Sequence, residues 1–295
     1  MSQPRRPAAG RASSRVVDGH HARKRFGQNF LSDDRVIRQI VASFQPSPGQ
    51  NVVEIGPGLG ALTKELLPAL GRLQVVELDR DLAARLPQTL AGLGELLIHE
   101  GDALQFDFSR LATPAAATQT AGNEGAAAGH GAGGLRVIGN LPYNISTPLI
   151  FHLLSHSGLI RDMHFMLQKE VIDRLCAEPG SGDYGRLTVM TQYRCQPEWL
   201  FDVPPEAFSP PPKVTSAIVR LTPHAELPWP CRDEKLLAEV VTTAFTMRRK
   251  TLRNALKRWP GEVIEAAGVD AGSRPETLSV ADYVNITNAL VEASP

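Results

Sequence analysis

The sequence predicts an α/β fold: a mostly parallel sheet with helices on both faces, followed by a small C-terminal helical domain. Three observations lead there. Short apolar runs alternate with stretches of helical spacing from about residue 34 to residue 175, the pattern of a sheet covered on both faces. The turn Gly56-Pro57-Gly58-Leu59-Gly60 follows the first of these runs and opens a helix, which makes the sheet Rossmann-like. From about Pro230 onward the apolar residues recur only at helical spacing.

Each element has its own justification. Residues 1–22 are rich in Arg, Ser, Ala and Gly and are expected to be disordered. Ser32-Asp33-Asp34 can cap a helix whose apolar face holds Val36, Ile37, Ile40, Val41 and Phe44. Asn51–Ile55 is a buried strand, and Leu62, Leu66, Leu67 and Leu70 mark the helix after the glycine turn. A second strand, Leu73–Glu77, ends in an acid, and a third, Leu96–Ile98, leads to Gly101-Asp102. The stretch Thr113–Gly134 is nearly all Ala, Gly and small polar residues and is read as a flexible surface insertion. Leu135–Gly139 and Met163–Leu167 are further strands, the latter followed by a helix from Lys169. Trp199–Val203 and Thr215–Leu221 suit an antiparallel hairpin at the sheet edge. Pro228 and Pro230 form a linker, and Leu236, Leu237, Val240, Val241, Ala244, Leu252, Leu256, Val284, Ile286 and Leu290 supply a helical core. The expected organisation is an N-terminal extension (1–22), a catalytic domain (23–227, with 113–134 inserted) and a helical domain (228–295).

Composition excludes several classes. With 295 residues, 42% of them hydrophobic, the chain can form one large domain and a small one. Cys176, Cys195 and Cys231 are odd in number and far apart, so neither a disulfide framework nor a metal cluster is expected, and no metal is assigned. No apolar run approaches membrane-spanning length, and the basic N-terminus lacks the apolar segment of a secretory signal; a cytoplasmic protein is expected. Net charge is +0, but its distribution is uneven. Seven basic residues fall within the first 25 positions, and Arg248, Arg249, Lys250, Arg253, Lys257 and Arg258 follow one another with no acid between. Such runs are solvated faces or phosphate-binding patches.

The chemistry is read from the strand ends. Asn140-Leu141-Pro142-Tyr143 directly follows a strand. An amine conjugated to an aromatic ring is a poor nucleophile, because its lone pair is delocalised. The Asn140 side-chain oxygen and the Leu141 carbonyl can both accept its N–H groups and favour a pyramidal nitrogen. Tyr143 can stack on the base, and Pro142 fixes φ and removes a competing N–H. The bland alternative is a strand-ending turn. Glu77 lies 21 positions after Gly56, which suits a carboxylate on ribose hydroxyls, and Asp102 can bond the amino group of a bound adenine. NAD competes with S-adenosylmethionine (SAM) for such a loop. Pro57 removes one N–H from a pyrophosphate cradle, and Glu54 is uncomfortable beside a phosphate but tolerable near a cationic amino acid, so SAM is favoured.

Several segments together resemble one family. Arg25–Leu31, Glu54–Gly60, Asn140–Thr147, Gln168-Lys169-Glu170 and Phe208–Val214 are similar to the ribosomal RNA adenine N6-dimethyltransferases, over roughly residues 23 to 290. Arg248–Asn254 and Leu278–Tyr283 resemble the bacterial small-subunit branch. The resemblance implies a SAM-dependent methyltransferase acting on two adjacent adenosines in a hairpin loop near the 3′ end of 16S ribosomal RNA, within a small-subunit precursor. It also implies SAM contacts at Asn29, Leu31, Gly56, Glu77, Asp102 and Asn140, and a catalytic set of Asn140, Leu141, Tyr143 and Phe208; Gly58 is added to the expected cofactor set, with a purely turn-forming role as its alternative, and a monomer is expected. Phe208 would cover the second face of the base; beside three prolines, its alternative is a packing anchor. Arg248, Arg249, Lys250 and Arg253 would contact RNA. The competing functions are a large-subunit adenine methyltransferase of the macrolide-resistance type, a non-catalytic ribosome-assembly factor on the same fold and, more distantly, an NAD oxidoreductase.

Overall fold

The computed structural model describes residues 29–111 and 134–293, together with the backbone of Val16–Val17 and His20–His21. The latter four pair as a two-residue antiparallel ribbon, and the rest of 1–22 lies outside the described residues. The Thr113–Gly134 insertion lies outside the described residues but for Gly134.

Seven strands form one sheet: β1 (Val52–Ile55), β2 (Arg72–Glu77), β3 (Glu95–Glu100), β4 (Leu135–Asn140), β5 (Ile160–Gln168), β6 (Cys195–Val203) and β7 (Ser216–Pro223). Their order is β3-β2-β1-β4-β5-β7-β6. The first five run parallel, and β7 is antiparallel to both β5 and β6. The expected hairpin is therefore present, but only β6 lies at the edge. Ala217, Ile218, Val219 and Leu221 are all buried, so β7 is covered on both faces like an interior strand. β6 carries Pro197, which an edge strand tolerates.

Alternation within strands divides the core in two. Val53, Ile55 and Val137 face one cluster, with helices α4 (Ser146–Leu154) and α5 (Lys169–Leu175). Val52, Val75 and Ile138 face the other, with α1 (Asp34–Phe44) and α2 (Ala61–Leu70). Asp33 caps α1 by accepting the N–H groups of Arg35 and Val36, as the sequence suggests. Helix α3 (Arg80–Thr89) starts behind β2 and is capped by Asp79.

The helical unit comprises α7 (Glu234–Thr246), the short α8 (Leu252–Ala255) and α9 (Gly261–Ala266), and α10 (Val280–Glu292). Ser279 and Asp282 close a capping box at the start of α10, which gives the Leu278–Tyr283 motif a local structural role. The helical core is not confined to residues after 228. Ala177, Tyr184, and Val189 and Tyr193 from α6 (Arg186–Arg194) belong to it, so the chain enters this core once before returning to the sheet as β6.

The topology reverses at β1, which lies between β2 and β4; in open α/β sheets the crevice at that point, at the carboxyl ends of the strands, holds ligands. The two strands approach so closely there that a Cβ on Gly139 would lie 2.6 Å from the Ile55 carbonyl oxygen. Only glycine fits directly before Asn140.

Candidate active site

A cavity of ≈ 330 Å³ occupies this crevice, within the range of small-ligand sites. Asn29, Leu31, Gly56, Gly58, Glu77 and Asp102 all line it, as do Asn140, Leu141 and Tyr143. Residues from five separate stretches of sequence thus meet in one place. Phe30 and Leu78 join them and were not anticipated. Leu78 is a large apolar side chain left half exposed at the rim, a signal visible only in the structure.

The glycine turn is built around Glu77. Gly58 N–H donates to Glu77 Oε2 at 3.1 Å, and Asp79 N–H donates to Oε1 at 2.8 Å. Burial pushes the Glu77 carboxyl up, and these backbone bonds oppose the shift. Gly58 has φ +59, and the Phe30 ring lies 3.3 Å from where its Cβ would be. The turn therefore needs glycine there both for its backbone and for the aromatic ring that rests on it. At the third strand, Asp102 Oδ1 accepts the Leu104 N–H at 2.9 Å, which orients the carboxylate.

Glu54 is 2% exposed and also lines the cavity. Burial pushes its carboxyl up to about 8, against the pull of the Thr63 hydroxyl, which donates to Oε2 at 2.7 Å. The free protein thus holds Glu54 neutral near pH 7. Its folded-state value lies above the ordinary 4.5, so the stability it contributes is full below 4.5 and is lost as pH rises through about 8. Glu54→Gln should flatten the fall in melting temperature across that window, leaving the smaller slope due to Glu77. An unchanged pH profile in thermal melts would show that Glu54 is ionised throughout.

The turn after β4 forms another wall of the cavity. Asn140 Nδ2 donates to the Asn29 carbonyl at 3.1 Å. A carbonyl only accepts, so this bond fixes which end of the amide faces Asn29 and turns Oδ1 the other way. The Leu141 N–H donates to the Met166 carbonyl at 3.2 Å. Among the described residues nothing donates to Asn140 Oδ1 or to the Leu141 carbonyl. Asn29, expected in the site only through family resemblance, has this physical role. The Tyr143 hydroxyl is 2.7 Å from Ser216 Oγ.

Phe208 is not among the residues that line the cavity. Phe30–Leu31 and Phe208–Ser209 pair as a short antiparallel ribbon, with Phe208 opposite Leu31. That pairing turns the Phe208 ring inward, where it is 4% exposed among the apolar residues beneath α1.

The basic block lies on the helical unit, and none of it lines the cavity. Acids distant in sequence neutralise part of it: Arg253 pairs with Glu265 at 3.1 Å and Arg258 with Glu239 at 2.6 Å. Arg248 donates to the Ser181 carbonyl at 3.1 Å. Arg249, Lys250 and Lys257 are exposed and form no ion pair with a described residue. Among the described residues no helix is long and apolar enough to cross a membrane, and no cluster of His, Cys, Asp or Glu could hold a metal.

The sequence profile of the ribosomal RNA adenine dimethylase family matches residues 19–292. The chain is 54% identical to the ribosomal RNA small subunit methyltransferase A of Acinetobacter baylyi over 93% of its own length and 94% of that protein. For the protein of the same name from Pseudomonas fluorescens the identity is 55%, over 92% and 95%. Among solved structures, a dimethyladenosine transferase from Plasmodium falciparum superposes with TM-score 0.71 at 25% identity, covering 87% of this chain and 95% of that one. The 23S rRNA methyltransferase ErmE gives 0.65 at 26%, covering 89% and 100%. The large-subunit enzyme thus shares the fold at half the identity seen for the two small-subunit enzymes. The chain belongs to the ribosomal RNA adenine dimethylase family.

Proposed function

We propose that the protein transfers methyl groups from SAM to N6 of two adjacent adenosines in the 3′-terminal hairpin loop of 16S ribosomal RNA, two per base, during small-subunit assembly in the cytoplasm. The observation that carries this reading is the amide of Asn140, held by the Asn29 carbonyl so that Oδ1 and the Leu141 carbonyl are left as two acceptors at one end of the cavity. An exocyclic amine has two N–H groups to give. Accepting both concentrates the lone pair on nitrogen, and the turn aligns it for transfer. Neither acceptor is a base; none is needed, because the N–H becomes acidic as the nitrogen takes on charge. Tyr143 supplies a face for the base, which must leave its stack to enter.

The residues present fit SAM. Its bound form would supply a methyl already activated on a sulfonium. Glu77 and Asp102 offer carboxylate acceptors at two strand ends, suited to ribose hydroxyls and an adenine amino group. Glu54 is a buried acid that a neighbouring cation would favour in its ionised form. The glycine turn lets a ligand approach the backbone.

Incubation with labelled SAM and unmethylated small subunits, followed by mapping, tests the reading. Two adjacent dimethyladenosines near the 3′ end of 16S RNA are expected. Label in large-subunit RNA would favour the resistance-type reading, and binding without transfer would favour an assembly factor.

The exposed part of the basic block is the proposed RNA contact. Arg249→Gln with Lys250→Gln should weaken binding to small subunits and lower the slope of log affinity against log salt by about 2, roughly one per lost phosphate contact. Filter binding at several salt concentrations measures it; an unchanged slope would make these two residues solvation only.

A further inference from the structure

We infer that Ser216 is a positioning residue that holds the Tyr143 ring and thereby governs completion of the second methyl transfer. The inference rests on the reading of Tyr143 as the face on which the base stacks. Tyr143 is held at both ends. On the backbone side, Ile145 N–H donates to the Pro142 carbonyl at 3.1 Å, and the Ser146 hydroxyl donates to the Tyr143 carbonyl at 3.2 Å. At the far end of the ring, the hydroxyl lies 2.7 Å from Ser216 Oγ. Ser216 is fully buried and opens β7, opposite Gln168 on β5 and Val203 on β6. Strands on both sides set its place. Ser216 is not among the residues lining the cavity, so its influence on a bound base passes through Tyr143.

The two transfers make unequal demands on that ring. An unmodified adenine amine can donate to Asn140 Oδ1 and to the Leu141 carbonyl together, and the pair of bonds sets both the nitrogen and the plane of the base. After one methylation a single N–H remains. One acceptor loses its partner, and the plane of the base then depends on stacking. A Tyr143 ring free to tilt would leave the first transfer nearly intact and slow the second.

Single-turnover reactions on unmethylated small subunits, with nucleosides resolved by chromatography, read both steps. Ser216→Ala should slow the second transfer by about threefold to tenfold, the range of one hydrogen bond, with the first changed less than about twofold, and Tyr143→Phe should lower the ratio of dimethylated to monomethylated product by a similar factor. N6-monomethyladenosine should accumulate. The two substitutions remove the same bond, so the double variant should be no slower than either single one. Ser216→Thr, which keeps the hydroxyl, should restore the wild-type product ratio. Should Ser216→Ala fail to fold, Tyr143→Phe still removes the bond with the buried serine in place. Equal slowing of both transfers, additive effects in the double variant or an unchanged product ratio in Tyr143→Phe would each overturn the inference. Failure of the functional reading would look different, because the wild-type protein would then form no dimethyladenosine on 16S RNA.

Discussion

Asn140→Ala is expected to lower methyl transfer by about 10²–10³-fold, or about 2.7–4 kcal/mol in the barrier, by analogy with the loss of one preorganised donor from an oxyanion hole. The acceptor it removes is oriented before the base arrives, because Nδ2 is already bound to the Asn29 carbonyl. Preorganisation is what gives such a group its worth: no side chain has to be ordered as the nitrogen lone pair localises. Asn140→Asp separates this role from simple polarity. It keeps oxygen acceptors of the same size but sets a carboxylate oxygen against the Asn29 carbonyl, where no hydrogen is available. Its loss should approach that of alanine. Single-turnover rates on unmethylated small subunits measure the effect, and calorimetry with SAM should show a far smaller change in affinity than in rate. Near wild-type turnover by Asn140→Ala would make the turn structural and return the question to which group polarises the amine.

How far the site can be read from sequence depends on how local each role is. Glu77, Asp102 and Asn140 are legible because each ends or follows a strand, and in a parallel sheet those ends share one edge. The order in which the strands line up is less so. The hairpin between β6 and β7 was visible, but nothing local says that β7 inserts between β5 and β6. Partnerships across the chain are not legible at all. Tyr143 and Ser216 are 73 positions apart, and Asn140 and Asn29 are 111 apart. The same holds for Phe208: its pairing opposite Leu31 is a contact that a Pro-rich context does not reveal. In the basic block, sequence shows no intervening acid, yet folding brings Glu265 and Glu239 against two of its arginines. What local patterning cannot carry is the tertiary contact that decides which of several chemically competent residues is free to act.

Arg136 is the largest of these omissions, and Arg136→Met should destabilise the protein by about 3–5 kcal/mol. The side chain is 5% exposed, near the end of β4 opposite Asn140. Its Nε and Nη2 each donate to one oxygen of Asp162 at 2.8 Å. Nη2 also reaches the Phe44 carbonyl at 2.8 Å, and Nη1 the Gln45 carbonyl at 3.3 Å and Gln50 Oε1 at 2.9 Å. The guanidinium lies 4.0 Å from the centre of the Phe44 ring. One cation thus neutralises a buried acid and satisfies carbonyls at the C-terminus of α1, where a helix dipole favours positive charge. Burial pushes the Asp162 carboxyl up, but the bonds and charge of Arg136, with His164 Nε2 3.7 Å away, outweigh it and hold it at about 2. Stability from this depressed value is present above the ordinary 3.8 and is lost as pH falls through about 2. Methionine in place of Arg136 strands the carboxylate, whose burial then raises its folded value, so the loss should be greatest near neutral pH and shrink as acid protonates Asp162. Adding Asp162→Leu should recover much of the loss, since an apolar pair costs less than a lone buried charge. Denaturant melts of the two variants measure both effects; a loss below about 1 kcal/mol for Arg136→Met would place the pair with exposed ion pairs of little consequence. The segment just before α1 carries Asn29, whose carbonyl orients Asn140. A helix loosened at its far end should therefore also slow transfer, through a side chain that Arg136 never touches.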